Sequence, residues 1–333
     1  MTMLKIKGQR GFFVFSDPAG AKACLALVKS LHNKEILIIS DRKYSFYSEF
    51  NLEVHLSTEK STNEWFDFFK PDFVFTGTSM PQNSLIELSE KIELEFLRES
   101  KSRTIKTYSF IDHWTNMSER FKYIEEYIYP DELWLIDNFA KKKAIEVGID
   151  ENIIEVSGNP YYNYLKEWKS NMSKDDLFNK IGLRKNEKFI LFAPEPISTF
   201  NLQEKYGFNE LSGLIHLNKS LIELKLGDIK IIIKAHPNQD HKIFTSYITK
   251  QKNNIYLKDS NINNLIYYSE CVVGYFSNSL IEANVMKKKI LRVLIDLKDK
   301  DFDVLKNKNI GKKIYSFLEL SDELQKLFLS MKK

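Results

Sequence analysis

Lys230-Ile-Ile-Ile-Lys-Ala-His-Pro-Asn238 and Gly274-Tyr-Phe-Ser-Asn-Ser-Leu-Ile-Glu-Ala283 decide how this chain is read. Each contains or follows an apolar, β-branched run that stops abruptly at small or polar residues. In a parallel sheet such stops mark the carboxyl ends of strands, where ligands bind. The first stop offers Lys234 and His236, with Pro237 restricting His236 to extended backbone. The second offers Ser277, Asn278 and Ser279, then Glu282 three residues after Ser279, the spacing of a capping box at a helix start. A cation, an imidazole and a helix N-terminus together suit a diphosphate or a nucleotide phosphate. Glu282, one turn in, is placed to accept hydrogen bonds from a ribose diol.

The same pattern of strand, polar stop and helix extends in both directions. Residues 11–16 read as a buried strand that breaks at Asp17-Pro18-Ala19-Gly20, followed by a helix to about residue 31. Strands follow at 35–40, 54–56 and 73–75, the last ending at Thr76-Gly77-Thr78-Ser79 before a long helix that reaches about residue 100. Strand 105–111 ends at Asp112-His113-Trp114, 132–136 at Asp137-Asn138, and 153–156 at Gly158-Asn159-Pro160. A second series begins with strand 188–192, which stops at Ala193-Pro194-Glu195-Pro196. It continues through 229–233, 255–257, 271–273 and 290–293, and a helix at 321–331 closes it. Short apolar runs alternating with helices of ten or so residues indicate βαβ units and parallel sheets. The expected fold is α/β: two doubly wound, Rossmann-like domains facing across a cleft. Residues 1–165 form the acceptor side and 166–333 the nucleotide side, with a hinge near 160–175.

Composition narrows the function. With 333 residues and 43% hydrophobic content, two cores of ordinary size can form. A net charge of +4 with 28% charged residues gives a mixed surface, which does not point to nucleic acid as a partner. Cys24 and Cys271 stand far apart without metal-binding spacing, so neither a disulfide framework nor a zinc site is expected. Neither a signal-peptide stretch nor a membrane-spanning run is present in the sequence. The expectation is a cytoplasmic protein, touching the inner face of the plasma membrane at most peripherally. The dinucleotide fingerprint and the Walker A sequence are both missing, which removes the common NAD and P-loop readings. Asp301-Phe302-Asp303 and Lys287-Lys288-Lys289 read as solvated segments.

His236-Pro237 and Ser277-Asn278-Ser279 resemble the His-Pro and serine motifs of bacterial GT-B glycosyltransferases that build surface polysaccharides, notably the sialyltransferases and related capsule enzymes. The resemblance implies that His236, Pro237 and the serine motif hold the donor phosphate, with Lys234 beside them at the same strand end. It also implies that an acidic residue at a strand end of the first domain is the base. Asp112 occupies such a place, but the family's second acid and glycine are replaced here by His113 and Trp114, and Asp17 sits at an equivalent stop. The base is thus Asp112, His113 or Asp17. Glu195 would face the nucleobase or acceptor, and Gly20, Thr78 and Ser79 would line the acceptor pocket. Gly158-Asn159-Pro160 is similar to the segment before the GT-B interdomain linker.

The implied activity is inverting, metal-independent transfer of a sugar from a nucleotide-sugar, either a CMP-nonulosonate or a UDP-sugar, to a glycan or lipid-linked glycan. No cofactor is expected. Non-hydrolysing UDP-sugar 2-epimerases share the plan, and teichoic-acid glycerophosphotransferases share the Lys-x-His-Pro signal. A non-catalytic nucleotide-sugar-binding assembly protein is the alternative from another class.

Overall fold

The computed structural model of the chain describes residues 6–80, 91–236, 239–258, 260–303, 305–306 and 308–329. It divides into two compact units, Met1–Tyr164 and Leu165–Lys333.

The first unit carries β1 (Arg10–Phe15), β2 (Glu35–Ser40), β3 (His55–Leu56), β4 (Phe73–Thr76) and β5 (Lys106–Ile111), then a small hairpin, β6 (Lys122–Tyr123) and β7 (Glu126–Tyr127), then β8 (Glu132–Leu135) and β9 (Ile154–Val156). Seven of these form one parallel sheet in the order β3-β2-β1-β4-β5-β8-β9. Its strands are apolar on both faces because helices cover both. Phe12 and Val14 pack on one face with Phe66, Phe69 and Phe96. Phe13 stacks on Phe75 across β1 and β4, with ring centroids 5.0 Å apart.

The second unit holds β10 (Lys188–Phe192), β11 (Ile229–Lys234), β12 (Asn254–Leu257), β13 (Cys271–Gly274), β14 (Ile290–Val293) and β15 (Lys312–Ile314). They form a second parallel sheet in the order β12-β11-β10-β13-β14-β15. Phe192, Ile231, Ile233, Val273 and Leu291 anchor its core against the helices Glu210–Glu223 and Phe317–Phe328.

In each sheet the strand order reverses at one place: between β1 and β4 in the first unit, and between β10 and β13 in the second. Outside the carboxyl ends of the strands at such a reversal the flanking connections leave to opposite faces, and a crevice opens that ligands use.

The stretch 81–90, part of the expected long helix, and Pro237 and Asn238 lie outside the described residues. The hairpin β6–β7, strand β15 and the helix Thr62–Phe69 were not anticipated. The first two are only two and three residues per strand, too short to leave a periodic signal.

Asp301-Phe302-Asp303 is not the solvated segment expected. Asp301 is exposed beside Lys306, but Asp303 is 1% exposed and pairs with Arg292, itself fully buried in the middle of β14. A buried arginine needs a carboxylate partner, and that need draws Asp303 inward.

Candidate functional site

In the second unit β11, β10 and β13 are neighbours, so their carboxyl ends bring residues 234–236, 193–195 and 274–279 to one edge of the sheet. Lys234, the last residue of β11, donates from Nζ to the Lys258 carbonyl at 2.8 Å. His236 follows, exposed at the strand end. Partial desolvation, then the Lys234 charge, hold its imidazole below the usual value. A developing negative charge nearby would favour its protonation.

Gly274 closes β13 with no room for a side chain: a Cβ there would lie 2.8 Å from the Ala193 carbonyl. The close approach presses the exit of β10 against the turn after β13. Ser277 is the N-cap of the helix Asn278–Val285, in extended conformation, and its hydroxyl makes no capping bond. It points instead towards the Ala193 carbonyl at 3.5 Å. Asn278 is exposed and Ser279 half-buried.

Two expectations are corrected here. The Ser279–Glu282 capping box does not form, because the helix starts earlier. Ser277 takes the cap position, Ser279 falls in the first turn, and Glu282 is buried in the next turn rather than turned to a ribose. Nor does Glu195 face a nucleobase or acceptor. Its Oε1 accepts the Phe276 backbone N–H, its Oε2 is buried, and burial pushes the carboxyl up to about 8.

In the first unit the crevice between β1 and β4 is built around Asp17. Asp17 caps the helix Pro18–Ser30, accepting the Gly20 N–H at 2.7 Å. Gly20 and Gly77 meet so closely that a Cβ on either would lie 3.4 Å from the other's Cα. That contact seats the helix start directly on the end of β4. Burial, then the charge of Asp112, raise Asp17 to about 7, against the smaller opposing effects of the Gly20 N–H and the Arg120 charge.

Asp112 follows β5 and lies 3.4 Å from Arg120 Nη1, the two side chains 12% and 7% exposed. His113 contacts Thr115 Oγ1 through Nδ1 at 2.9 Å, and burial lowers its pKa. Trp114 donates to both carboxylate oxygens of Asp137.

The structure thus places Asp17 at the end of β1 and Asp112 and His113 at the end of β5, on either side of β4 in one sheet. It does not give Thr78, Ser79 and Gly20 the acceptor-lining role expected of them, because their polar groups are engaged within the fold. Thr78 Oγ1 donates to the Phe110 carbonyl at 2.9 Å, and the Thr78 carbonyl accepts from Arg120. Ser79 donates its hydroxyl to Glu93 Oε2 at 2.9 Å, and the Gly20 N–H belongs to Asp17.

Glu93, Arg120 and Arg292 escaped the sequence reading. Glu93, 2% exposed, gathers the backbone N–H groups of Ser16 at 3.0 Å and Ser79 at 3.2 Å, tying the ends of β1 and β4 together. The available signal was a charge inside an apolar run: Ile92-Glu93-Leu94 for one, Leu291-Arg292-Val293 for the other. Lone charges in such places are rare unless paired. Arg120 sits in a polar stretch and left no such trace.

Two doubly wound units, each with a polar crevice at its strand-order reversal, define a protein of GT-B type. Solved structures agree on the fold. The UDP-GlcNAc 2-epimerase of Methanocaldococcus jannaschii is 14% identical, with 95% of this chain and 92% of that chain covered and a TM-score of 0.65. The UDP-GlcNAc 2-epimerase of Neisseria meningitidis, bound to UDP-GlcNAc, is 13% identical over 97% of this chain and 92% of that one, with a TM-score of 0.63. Alr3699/HepE of Anabaena, in complex with UDP-glucose, is 11% identical over 96% and 90%, with a TM-score of 0.56. At such identities the likeness establishes architecture alone.

The family comes from the sequence: residues 140–329 match the CDP-Glycerol:Poly(glycerophosphate) glycerophosphotransferase family, and the chain belongs to it. That is a transferase family, with a phosphate-containing group as cargo. No curated protein matches the sequence. Among the described residues no helix is long and apolar enough to cross a membrane.

Proposed function

We propose that this protein transfers glycerol phosphate, or a closely related phospho-alcohol, from a cytidine diphosphate-linked donor to a hydroxyl of a surface polymer. The observation that carries the reading is the span of the family match, which contains Lys234, His236 and Ser277. The acceptor hydroxyl attacks the phosphorus that bears the glycerol, the bridging P–O bond breaks, and CMP leaves with the bonding electrons. Asp17 takes the hydroxyl proton, since a carboxyl poised near 7 is matched to that task at neutral pH. Asp112, its charge already met by Arg120, sets the field around Asp17. Lys234, His236 and the amides of the first turn of Asn278–Val285 stabilise charge on the departing nucleotide, which makes a metal ion unnecessary. Contact with a membrane-borne acceptor at the cytoplasmic face belongs to the same proposal.

A second reading keeps the site and changes the cargo: inverting transfer of a sugar from a UDP-sugar or CMP-nonulosonate. It is favoured by the fold likeness to structures solved with UDP-GlcNAc and with UDP-glucose. In both readings the leaving group is a nucleotide phosphate.

The deciding experiment incubates the protein with CDP-glycerol, CMP-linked and UDP-linked donors, each with a polyol-phosphate or glycan acceptor and with excess EDTA. Acceptor-dependent CMP release from CDP-glycerol supports the first reading, and nucleotide release from a sugar donor the second. Activity restored only by magnesium or manganese overturns the metal-free part. Interconversion of a UDP-sugar without acceptor, with solvent deuterium incorporated, would make it an epimerase. Nucleotide binding without turnover in any pairing would make it a binding protein.

A further inference from the structure

The turn between β13 and the helix Asn278–Val285 is fastened from two sides by buried polar side chains. From β10, Glu195 Oε1 accepts the Phe276 N–H. From β14, Arg292 Nε donates to the Tyr275 carbonyl at 2.8 Å. Arg292 is held in turn by Asp303, whose Oδ1 also accepts the Leu305 N–H at 2.9 Å.

Three separate segments, after β10, after β13 and at β14, therefore meet through ionisable side chains in the interior of one unit. An apolar cluster of similar volume would fill the space at lower cost, since buried ionic groups are desolvated and only partly repaid. Glu195 Oε2 and Arg292 Nη1 are buried with no hydrogen-bond partner among the described residues. Imperfectly satisfied groups of this kind are kept where position matters more than stability. The backbone they fix is the pair of residues directly before Ser277.

We infer that Glu195 and Arg292 are positioning residues for an anion bound at this helix start. By holding Phe276 N–H and Tyr275 C=O they fix the backbone that leads into Ser277 and so set the first-turn amides towards the donor phosphate. The inference rests on the reading of this turn as the donor-phosphate site.

The test uses the whole chain as wild type, Glu195→Ala, Glu195→Gln and Ser277→Ala. Amide exchange across residues 274–281 is followed in the free protein, and CDP and UDP affinity by calorimetry. Glu195→Ala is expected to speed exchange at Phe276 and to weaken CDP binding, each by about tenfold or more, the loss of one well-placed hydrogen bond. Glu195→Gln, whose amide oxygen still accepts the Phe276 N–H, should stay within about threefold of wild type on both.

CDP bound as tightly by Glu195→Ala as by wild type, while Ser277→Ala is impaired, would overturn the inference and leave the site standing. Equal losses in the Ala and Gln variants would overturn it too, since position would then not be what Glu195 supplies. Wild type binding neither CDP nor UDP, with exchange behaving as expected, would sink the donor-site reading and keep the fastening of the turn. If Glu195→Ala does not fold, Arg292→Lys replaces it. That variant keeps a charge beside Asp303 but cannot reproduce the guanidinium bond to Tyr275, and it is judged on the same readouts.

Discussion

On the proposed mechanism one carboxylate, Asp17, both caps a helix and takes a proton. The Gly20 N–H favours its charged form, while burial and the Asp112 charge oppose it more strongly, leaving it near 7. A base must be ionised to act, so kcat/KM should rise as pH rises through about 7. Asp17→Asn should lower kcat by roughly 10² to 10⁴. Asp112→Asn should retain most activity and move the acid limb to lower pH, since it removes a charge that raises Asp17. Collapse in Asp112→Asn alone would make Asp112 the base, and collapse in His113→Ala alone would give the role to His113.

Glu195 allows a second test, on stability. Its folded value near 8 lies above the ordinary 4.5 because burial favours the neutral carboxyl, against the smaller opposing effects of the Phe276 N–H and, least, the Arg292 charge. Tyr275 and Tyr206 are the other titratable groups that feel it. The contribution is fully present below about 4.5 and is lost as pH rises towards 8. Glu195→Gln, which cannot ionise, should therefore gain in Tm relative to wild type between pH 5 and pH 8.5. A difference that is the same at both pH values would mean that the carboxyl does not titrate in this range.

At the scale of elements, the parallel strands were legible because a strand buried on both faces writes a continuous apolar run, and its polar stop shows where the sheet ends. Asp17, Asp112, Lys234, His236 and Ser277 stand at or just beyond strand ends, where that rule places them. What the rule cannot give is the direction of a side chain beyond the stop. Glu195, Thr78 and Ser79 all stand at strand ends, yet their polar groups turn inward to Phe276, Phe110 and Glu93. Helix starts were also misjudged. Ser277 and Ser279 are equally good caps by type, and only the extended backbone at Ser277 decides between them.

Gly274 lets two elements approach: its missing side chain allows the turn after β13 to sit against Ala193. Gly274→Ala should force backbone apart, cost about 1–3 kcal/mol of stability, as other overpacking does, and weaken CDP binding, read by chemical denaturation and calorimetry. Unchanged stability would show that β10 and β13 are not pressed together there.

For the whole molecule, the family match and the topology both set the second sheet apart from the first. The match runs from residue 140 to 329 and so takes in the second sheet, where Lys234, His236 and the start of Asn278–Val285 collect the groups that suit a phosphate. The first sheet supplies the raised carboxyl of Asp17. A carboxylate is a poor neighbour for a nucleotide diphosphate, because like charges raise each other's cost, and a suitable one for a neutral hydroxyl that must lose a proton.

Binding of CDP should therefore slow amide exchange at residues 193–195 and 274–281. Residues 16–20 and 77–79 should be unaffected until an acceptor is added. A polyol-phosphate acceptor alone should do the reverse. The measurement is independent of turnover, so it reports on the division of labour even if the right donor is missing from an activity panel. Protection of 16–20 by CDP alone would place the nucleotide on the first sheet. The roles of the two units would then have to be exchanged, with His236 and Lys234 left to the acceptor.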